Sequence, residues 1–266
     1  MVHLRDKLLE VAVRVAAEAA ELVESTRRSA VRDVATKSSA TDPVTAGDRA
    51  AERLVRERLA ELRPGEAVLG EEEGADGSGG DGVCWVVDPI DGTVNYLYGF
   101  PWYSVSVAVQ LDGATVAGAV VEPSSGRQWS AALGQGATLD GVPLRASTTD
   151  RTELALLATG FGYRAERRTR QAEFVARLLG RVRDVRRTGS AALDLCMVAA
   201  GWVDGYVEHG LNRWDWAAGS LIAAEAGAVV SLPDSGELGG AIFAAAPGVA
   251  DELRKVLLEC GVADVL

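Results

Sequence analysis

The segment that most constrains the fold of this 266-residue chain is VCWVVDPIDGTVNYLYG, which runs from Val83 to Gly99. Its apolar start, Val83–Val87, predicts a buried β-strand. Asp88 follows that strand directly, and Asp91 comes three residues later, after a proline and an isoleucine. An unpaired carboxylate beside a buried strand is costly unless it binds a cation. The fold must therefore supply a partner for these charges at the end of a core strand.

Two kinds of chemistry could use these aspartates. In one, Asp88 is a nucleophile that attacks phosphorus, as in haloacid-dehalogenase phosphatases, whose motif is a strand ending in DxDGT. In the other, Asp88 and Asp91 are metal ligands. The spacing favours metal ligands, because the acids are three residues apart and Pro89 stiffens the bend between them. Such a bend can direct both carboxylates and the Ile90 carbonyl at one point, and a ligand set made only of oxygens suits Mg²⁺.

Gly92 and Thr93 follow the second aspartate and are predicted to open a short helix-like segment. Free backbone N–H groups at such a start can hold a phosphate. DPIDGT therefore predicts a metal site joined to an anion site. A surface turn with two solvated aspartates is the alternative, since DG pairs are common in turns. That alternative does not explain the buried strand before the motif or the matching acids elsewhere in the chain.

The amino-acid composition disfavours some classes of binding partner. The chain has 27 Lys and Arg against 38 Asp and Glu, and the resulting net charge of -11 disfavours nonspecific binding to nucleic acid or to an anionic membrane. The basic clusters Arg164–Arg170 and Arg181–Arg187 are expected to be solvated faces. Acids throughout the N-terminal segment argue against a signal peptide or a membrane span, so a soluble, intracellular protein is expected. Cys84, Cys196 and Cys260 show no CxxC spacing and are expected to be reduced core thiols.

The first half of the chain, about residues 1–141, is predicted to be α+β. Apolar residues at steps of three and four from Leu4 to Leu22 predict an amphipathic helix, and Thr45 with Asp48 predicts a capping box for a second helix. AVLG then predicts a short strand, and GADGSGGDG a flexible loop. That loop contains a formal GxGxxG, but a strand follows it, whereas a dinucleotide site needs a strand before it and a helix after it. The next three strands, YSVSVAVQL, ATVAGAVVEP and RQWSAAL, predict an antiparallel meander.

The second half, about residues 142–266, alternates strands and helices and is predicted to be an α/β layer. Its predicted elements include a helix at Ala165–Leu179, a helix after Ser190, the strand DGYVEH and the helix WAAGSLIAAEAGA. No repeat of fixed period is visible. We expect the two halves to form a single domain over residues 1–266.

Three motifs, GEE at Gly70–Glu72, DPIDGT at Asp88–Thr93 and WDWAAGSLIAAEAG at Trp214–Gly227, resemble in order and spacing those of the inositol monophosphatase family. Members of this family are Mg²⁺-dependent, lithium-sensitive phosphatases. The resemblance covers nearly the whole chain, and the motif sequences are most similar to those of actinobacterial inositol-1-monophosphatases. It implies the layered αβαβα sandwich of the sugar-phosphatase fold.

The resemblance also implies roles for individual residues. Two or three Mg²⁺ ions would be held by Glu71, Asp88, the Ile90 carbonyl, Asp91 and Asp215, with Asp88 shared between two ions. The catalytic group would be Thr93, Asp48, Glu71 and Asp88, with Asp48 accepting from the Thr93 hydroxyl to orient a metal-bound water. Substrate would contact Gly92, Thr93, Glu208 and Asp215. Glu72 is a further candidate acid, and Lys37 matches a mobile loop near the optional third metal.

Each of these residues has a simpler interpretation when the resemblance is set aside. Asp48 is a helix-capping acid, because it completes the box pattern. Asp215 is an acid stabilised by the dipole of the helix that it begins. Glu208 is an edge-strand acid that faces water, and Lys37 is a solvated loop lysine.

The activity implied is hydrolysis of inositol-1-phosphate to inositol and phosphate, through in-line attack by a metal-activated water. The alternatives within the same fold are phosphatases for fructose-1,6-bisphosphate, histidinol phosphate or 3'-phosphoadenosine phosphate. A non-catalytic interaction protein that keeps the fold is the alternative from another class. A small phosphate monoester is the expected partner, with no nucleic acid or membrane. From the family resemblance we expect a homodimer, and from the absence of targeting signals we expect it to be cytoplasmic.

Overall fold

The computed structural model describes residues 2–32, 34–37, 43–76 and 82–265. Its helices are α1 (Val2–Ala30), α2 (Ala46–Leu62), α3 (Thr93–Tyr98), α4 (Ala165–Leu178), α5 (Ala191–Ala199), α6 (Arg213–Glu225) and α7 (Ala250–Glu259). Its strands in the first half are β1 (Val34–Thr36), β2 (Pro43–Thr45), β3 (Ala67–Gly70), β4 (Gly74–Asp76), β5 (Val83–Asp91), β6 (Ser104–Leu111), β7 (Ala114–Val121), β8 (Gln128–Ala132), β9 (Ala137–Leu139) and β10 (Val142–Pro143). Those in the second half are β11 (Leu156–Thr159), β12 (Asp184–Arg186), β13 (Gly205–His209), β14 (Val229–Ser231) and β15 (Ala241–Ala245).

Two large sheets organise the chain. The first has the strand order β10-β9-β8-β7-β6-β5-β3-β4, and the second has the order β12-β11-β13-β15-β14. Strands β5 to β8 pair antiparallel in sequence, so the predicted meander is confirmed. Strand β11 lies parallel to both β12 and β13, as the alternating pattern of the second half indicates. The first sheet extends to β10, which lies just beyond the boundary between the two halves that the sequence predicts at about residue 141.

Helices cover these sheets in layers. Helices α1 and α2 pack on one face of the first sheet, and α5 and α6 fill the space between the two sheets. Helices α4 and α7 cover the outer face of the second sheet. The order of layers is therefore α, β, α, β, α, and the expected αβαβα sandwich is confirmed.

The N-terminal helix shows why the pattern of apolar residues predicts its orientation. Leu8, Val15 and Ala19 are fully or almost fully buried against the first sheet, whereas Leu4 is exposed near the beginning of the helix. This face is continuous because residues three and four apart lie on the same side of a helix. None of the helices among the described residues combines the length and apolarity needed to cross a bilayer.

Two predictions of local structure were wrong in part. Strand β5 does not end at Val87, because pairing to β6 resumes at Asp91, opposite Ser104, after an irregularity that begins at Asp88. Part of the predicted loop GADGSGGDG is the edge strand β4, paired antiparallel with β3. Gly77 and Gly79 of the formal GxGxxG lie outside the described residues.

The cysteines are free thiols, but they are not all core residues. Cys196 and Cys260 are buried, whereas Cys84 is only partly buried. Cys84 lies on β5, near the edge that β3 and β4 form, where the sheet is less completely covered.

Candidate active site

Three carboxylates from distant parts of the chain meet in one cluster. One carboxylate oxygen each from Asp88, Asp91 and Asp215 lies within 4.8 Å of the others. Asp88 and Asp91 lie on β5, and Asp215 lies in the first turn of α6. Burial and the neighbouring carboxylates raise the pKa of both Asp88 and Asp215 well above the usual range. A divalent cation fits this donor set, because it would neutralise charges that the fold buries side by side.

The irregularity in β5 separates the two aspartates and directs them. Asp88 pairs with Ser106 of β6 and Asp91 pairs with Ser104, so two residues of β5 lie opposite the single residue Val105 of β6, one more than regular pairing allows. The Asp88 carboxylate accepts a hydrogen bond from the Ile90 N–H over 3.0 Å, which closes a tight local turn. A β-bulge bends its strand and redirects side chains, and here it brings both carboxylates to one cluster.

Gly92 has to be glycine at this bend. Its φ of 94° is in the left-handed region, and a Cβ at this position would lie 3.1 Å from the Gly189 carbonyl oxygen and 3.2 Å from that of Trp102. The absence of a side chain lets the chain turn directly into α3, which begins at Thr93. The predicted helix-like segment after DPIDG is therefore confirmed.

Asp91 is held by the beginning of α5. Its Oδ2 atom accepts hydrogen bonds from the Ser190 hydroxyl (2.6 Å) and from the Ala192 N–H (2.7 Å). Burial raises the pKa of Asp91 to about 6, and these hydrogen bonds limit the increase. Ser190 is also the N-cap of α5, with its hydroxyl accepting from the Leu193 N–H. Sequence reasoning missed Ser190 as a site residue, although a serine directly before the apolar run AALDLCMVAA is a helix-start signal that could have drawn attention to it.

Asp215 is fixed by the turn that precedes its helix. The Asn212 N–H donates to Asp215 Oδ2 over 2.5 Å, which is the arrangement of a helix cap. The simpler interpretation of Asp215 as a capping acid is therefore compatible with its place in the cluster. One carboxylate can do both, because it has two oxygens and several lone pairs.

Glu71 lies beside the three-acid cluster and is paired with Lys37. The Lys37 Nζ is 2.8 Å from Glu71 Oε1 and 2.5 Å from Glu72 Oε1. Burial raises the pKa of Glu71 and the Lys37 ammonium opposes this, while a side-chain hydrogen bond links Glu71 to Asp88. Burial lowers the pKa of Lys37, but the two carboxylates more than offset this and raise it overall. Lys37 is thus a cationic partner of the acidic turn rather than a solvated loop lysine.

Thr93 and Asp48 come together as predicted. The Thr93 hydroxyl lies 3.3 Å from Asp48 Oδ1 and 3.0 Å from the Ile90 carbonyl oxygen, and it can donate to either. The other oxygen of Asp48 accepts from the N–H and the hydroxyl of Thr45, at 2.7 and 2.6 Å, so the predicted capping box is also present. The two interpretations of Asp48 hold together because each uses a different oxygen.

Glu208 lies on β13, which is the central strand of the second sheet and not an edge strand. Its carboxylate accepts from the Tyr206 hydroxyl over 2.7 Å. A Cβ at Gly160 would lie within 2.2 Å of all three atoms of this carboxyl group, so the glycine makes room for it. Burial raises the pKa of Glu208 to about 7, although Tyr206 and Arg187 both lower it.

One cavity of about 520 Å³ joins these groups. Its lining includes Lys37, Glu71, Asp88, Ile90, Asp91, Gly92, Thr93, Glu208 and Asp215, so the predicted site residues share one cavity except for Asp48, which lies behind Thr93. The volume is in the range of small-molecule sites. The cavity is acidic where these residues meet, and Arg164, Arg167 and Arg187 line another part of it.

Sequence reasoning also missed a buried polar group behind the cavity. Asp194 of α5 is 1% exposed and accepts a hydrogen bond from the Thr188 hydroxyl. Burial raises its pKa well above the usual range, and Thr188 opposes this. An aspartate in the middle of an apolar helix pattern is the signal that could have identified it.

Comparisons with known proteins show the family of the chain. The model of the inositol monophosphatase family matches residues 4–265. An inositol-1-monophosphatase SuhB of Mycobacterium tuberculosis (strain H37Rv) is 51% identical over 270 residues, which cover 94% of this chain and 93% of that protein. The Nus factor SuhB of Escherichia coli K12 is 40% identical over 225 residues, which cover 84% of each chain.

Solved structures show the same relationship. The structure of Mycobacterium tuberculosis SuhB superposes with a TM-score of 0.84 at 47% sequence identity, over 97% of this chain and 98% of that one. The matches extend over nearly the whole chain, and the acids of the three motifs meet at one cavity. The chain therefore belongs to the inositol monophosphatase family and is a phosphatase of that family.

Proposed function

We propose that this phosphatase hydrolyses inositol-1-phosphate in a Mg²⁺-dependent reaction. One observation carries the proposal: the acid cluster, the beginning of α3 and Glu208 all lie around a single cavity. A phosphate ester needs charged groups around its phosphate and hydrogen-bonding groups around the hydroxyls of its alcohol. This cavity offers both.

The acid cluster is the place for the cations. Asp88, Asp91 and Asp215, together with Glu71 and the Ile90 carbonyl, would hold two or three Mg²⁺ ions. A bound Mg²⁺ supplies charge neutralisation for the phosphate dianion and makes a water molecule more acidic. The carboxylates themselves carry too much like charge to accept a phosphate dianion without a cation.

Thr93 and Asp48 would orient the attacking water. The Thr93 hydroxyl is held near Asp48 and the Ile90 carbonyl, so its own position is fixed before substrate arrives. A fixed hydroxyl at the edge of the cavity can receive or pass a hydrogen bond with little loss of entropy. Gly92 and Thr93 also present the first N–H groups of α3, which have no partner within the helix and suit a phosphate oxygen.

Glu208 would recognise the leaving group. Its carboxylate is held by the Tyr206 hydroxyl, and Glu208 lines the same cavity as the acid cluster. A carboxylate accepts hydrogen bonds from ring hydroxyls, and it is left unpaired when a substrate lacks them. This arrangement favours a polyhydroxylated alcohol such as inositol.

The test is a panel of phosphate monoesters assayed with and without Mg²⁺, with relative kcat/KM as the result. The proposal expects inositol-1-phosphate to have the highest value and Mg²⁺ to be required. A higher kcat/KM for histidinol phosphate or 3'-phosphoadenosine phosphate would replace the substrate assignment. We also propose inhibition by Li⁺ that is uncompetitive with substrate, and purely competitive inhibition would contradict it.

The arginines of the cavity favour a second candidate, a phosphomonoester whose leaving group carries another anionic group, such as fructose-1,6-bisphosphate. In the part of the chain that the structure describes, Arg164, Arg167 and Arg187 form no ion pair with a carboxylate. Arg167 Nη1 lies 2.1 Å from the place that a Cβ would take at Gly210, so it packs directly on that glycine. The same positive wall disfavours histidinol phosphate, whose amine is cationic.

Arg167→Gln separates this candidate from the first. It should lower kcat/KM for fructose-1,6-bisphosphate about tenfold, the effect of one charged hydrogen bond, and change little for inositol-1-phosphate. Arg170→Gln is the control, because Arg170 is exposed on the same helix and does not line the cavity. Equal effects of Arg167→Gln on both substrates would rule out a subsite for a second anion.

From the family resemblance we further propose that the enzyme works as a cytoplasmic homodimer and without a nucleic-acid partner. The net charge of -11 supports the second point. Tyr98 and Phe100, which are 83% and 55% exposed at the end of α3, offer apolar surface for a second copy. Light scattering after size exclusion, together with a salt-dependent shift assay with RNA, tests both points.

A further inference from the structure

Helix α2 carries a buried carboxylate that the proposed reaction does not use. Asp48, Glu52 and Arg56 are spaced four residues apart, so they lie on one face of the helix. Glu52 is 0% exposed, and its Oε1 accepts from Arg56 Nε (3.0 Å) and Nη2 (2.8 Å). An ion pair alone does not offset the hydration that a buried carboxylate loses, so further hydrogen bonds to Glu52 are expected.

Glu52 makes its other contacts with the acidic turn between β3 and β4. Its Oε2 accepts from the Glu72 N–H over 2.7 Å, and its Oε1 accepts from the Glu73 N–H over 3.0 Å. Arg56 Nη2 donates to the Gly74 carbonyl on the far side of the same turn, over 2.6 Å. The Glu52–Arg56 pair thus binds donors and an acceptor of a turn only three residues long.

The sequence around the turn accommodates this contact. A Cβ at Gly70 would lie 2.2 Å from Glu52 Oε1, so only glycine allows the carboxylate to approach the strand. On the other side, the Glu71 N–H donates to the Val87 carbonyl over 3.2 Å, one residue before Asp88. The backbone of the turn is therefore fixed by α2 on one side and by β5 on the other.

Helix α2 also holds Thr93, through Asp48, one helical turn before Glu52. The same rigid element therefore sets the position of Glu71 and Glu72 and that of the Thr93 hydroxyl. We propose that Glu52 is a positioning residue for the cation centre: its carboxylate orients the acidic turn so that Glu71 can join Asp88 as a ligand. The proposal rests on the proposed function, because it takes Glu71 as a ligand of the cations.

The experiment measures Mn²⁺ binding to the metal-free protein by electron paramagnetic resonance of the free ion, with no substrate present. Glu52→Gln keeps the size of the side chain but loses the charge and one of the two acceptor oxygens. It should bind Mn²⁺ about 10- to 100-fold more weakly, the usual effect of changing a group that orients metal ligands. With inositol-1-phosphate, saturating cation should then restore most of kcat.

Glu66→Gln is the matched control. Like Glu52, Glu66 is a carboxylate paired with an arginine, Arg63, although it is only partly buried. It also accepts from Trp85 Nε1, but it lies at the opposite end of β3 from the acidic turn. The Mn²⁺ affinity of the Glu66→Gln variant should be within about twofold of the wild-type affinity. Far-UV circular dichroism and thermal unfolding show whether each variant is folded.

The outcomes are distinct. A folded Glu52→Gln with wild-type Mn²⁺ affinity overturns the proposal. If Glu52→Gln does not fold, Glu52→Asp is measured, which keeps the charge but withdraws it from the turn, and weaker Mn²⁺ binding is again expected. Loss of folding in both variants would assign Glu52 to the stability of the fold and would also overturn the proposal. Failure of the wild type to hydrolyse inositol-1-phosphate would contradict the proposed function and leave the Mn²⁺ result to decide the role of Glu52.

Discussion

The Ser190 hydroxyl donates a 2.6 Å hydrogen bond to Oδ2 of Asp91, and it joins residues that are 99 positions apart in the sequence. The contact links β5 of the first sheet to the helix that lies between the two sheets. Because the Ala192 N–H donates to the same oxygen, the beginning of α5 fixes the orientation of the Asp91 carboxylate.

Ser190→Ala should therefore weaken Mg²⁺ binding. Asp91 would keep its hydrogen bond from Ala192 but lose the one that fixes its rotation, and we expect about a tenfold higher Mg²⁺ requirement. The measurement is the Mg²⁺ concentration for half-maximal phosphate release. Ser220→Ala is the control, because the buried Ser220 hydroxyl donates to the Ala217 carbonyl within its own helix, α6. An unchanged Mg²⁺ requirement for Ser190→Ala would show that α5 does not orient Asp91.

Thr93→Ala should lower kcat roughly 100-fold while the Mg²⁺ requirement stays about the same. The hydroxyl positions the water in the transition state, and a loss of that kind appears in kcat and kcat/KM together. Thr93→Ser keeps the hydroxyl and should retain much more activity. An increase in KM alone would mean that Thr93 binds phosphate and does not orient the water.

Glu208→Ala should lower kcat/KM for inositol-1-phosphate by roughly one to two powers of ten, the effect of losing a charged hydrogen bond of about 1.5 to 3 kcal/mol. Hydrolysis of p-nitrophenyl phosphate, which has no vicinal hydroxyls, should change little. Equal losses on both substrates would show that Glu208 supports the cation site or the strand and does not recognise the alcohol.

The metal-free protein should become less stable as pH rises from about 4 to about 7. Folded pKa values of about 6 for Asp91 and about 7 for Glu208 lie above the ordinary values of 3.8 and 4.5, so the folded state binds more protons than the unfolded chain in this range. The stabilisation is complete below the unfolded pKa values and is lost as pH rises through the folded ones. Added Mg²⁺ should oppose the loss, because it binds the deprotonated carboxylates.

Thermal unfolding in EDTA at several pH values, repeated with Mg²⁺, checks this prediction. Glu208→Gln should remove the part of the dependence that lies near pH 7. A melting temperature that rises with pH in EDTA would mean that the buried carboxylates are stabilised in their charged form by other groups.

Local signals in the sequence were sufficient to predict much of the architecture and the site. The capping box at Thr45 and Asp48, the apolar face of α1 and the turn at Gly92 each depend on residues within one or two helical turns. Such patterns can be interpreted without knowing what packs against them. The aspartates of DPIDGT could be predicted as candidate metal ligands for the same reason, because their spacing implies a bend.

Contacts between distant segments could not be predicted in this way. Nothing near Ser190 in the sequence shows that Asp91 will lie against it, and nothing near Glu52 shows that it will meet the acidic turn. The full extent of β5 was missed because pairing resumes only after a bulge with one extra residue, which depends on where Ser104 of β6 lies. The edge strand β4 was missed because GAD has low strand propensity and forms a strand only by pairing with β3.

A Mg²⁺ titration of the metal-free enzyme tests most directly whether the acid cluster is a cation centre for phosphate ester hydrolysis. Phosphate release from inositol-1-phosphate is measured for the wild type and for Asp91→Asn, after EDTA treatment and then with increasing Mg²⁺. We predict no release in EDTA, saturable activation of the wild type by Mg²⁺, and loss of most turnover in a folded Asp91→Asn at every Mg²⁺ concentration. Phosphate release by the wild type in EDTA, or near-wild-type activity of Asp91→Asn at saturating Mg²⁺, would show that the acid cluster is not the cation centre of the reaction.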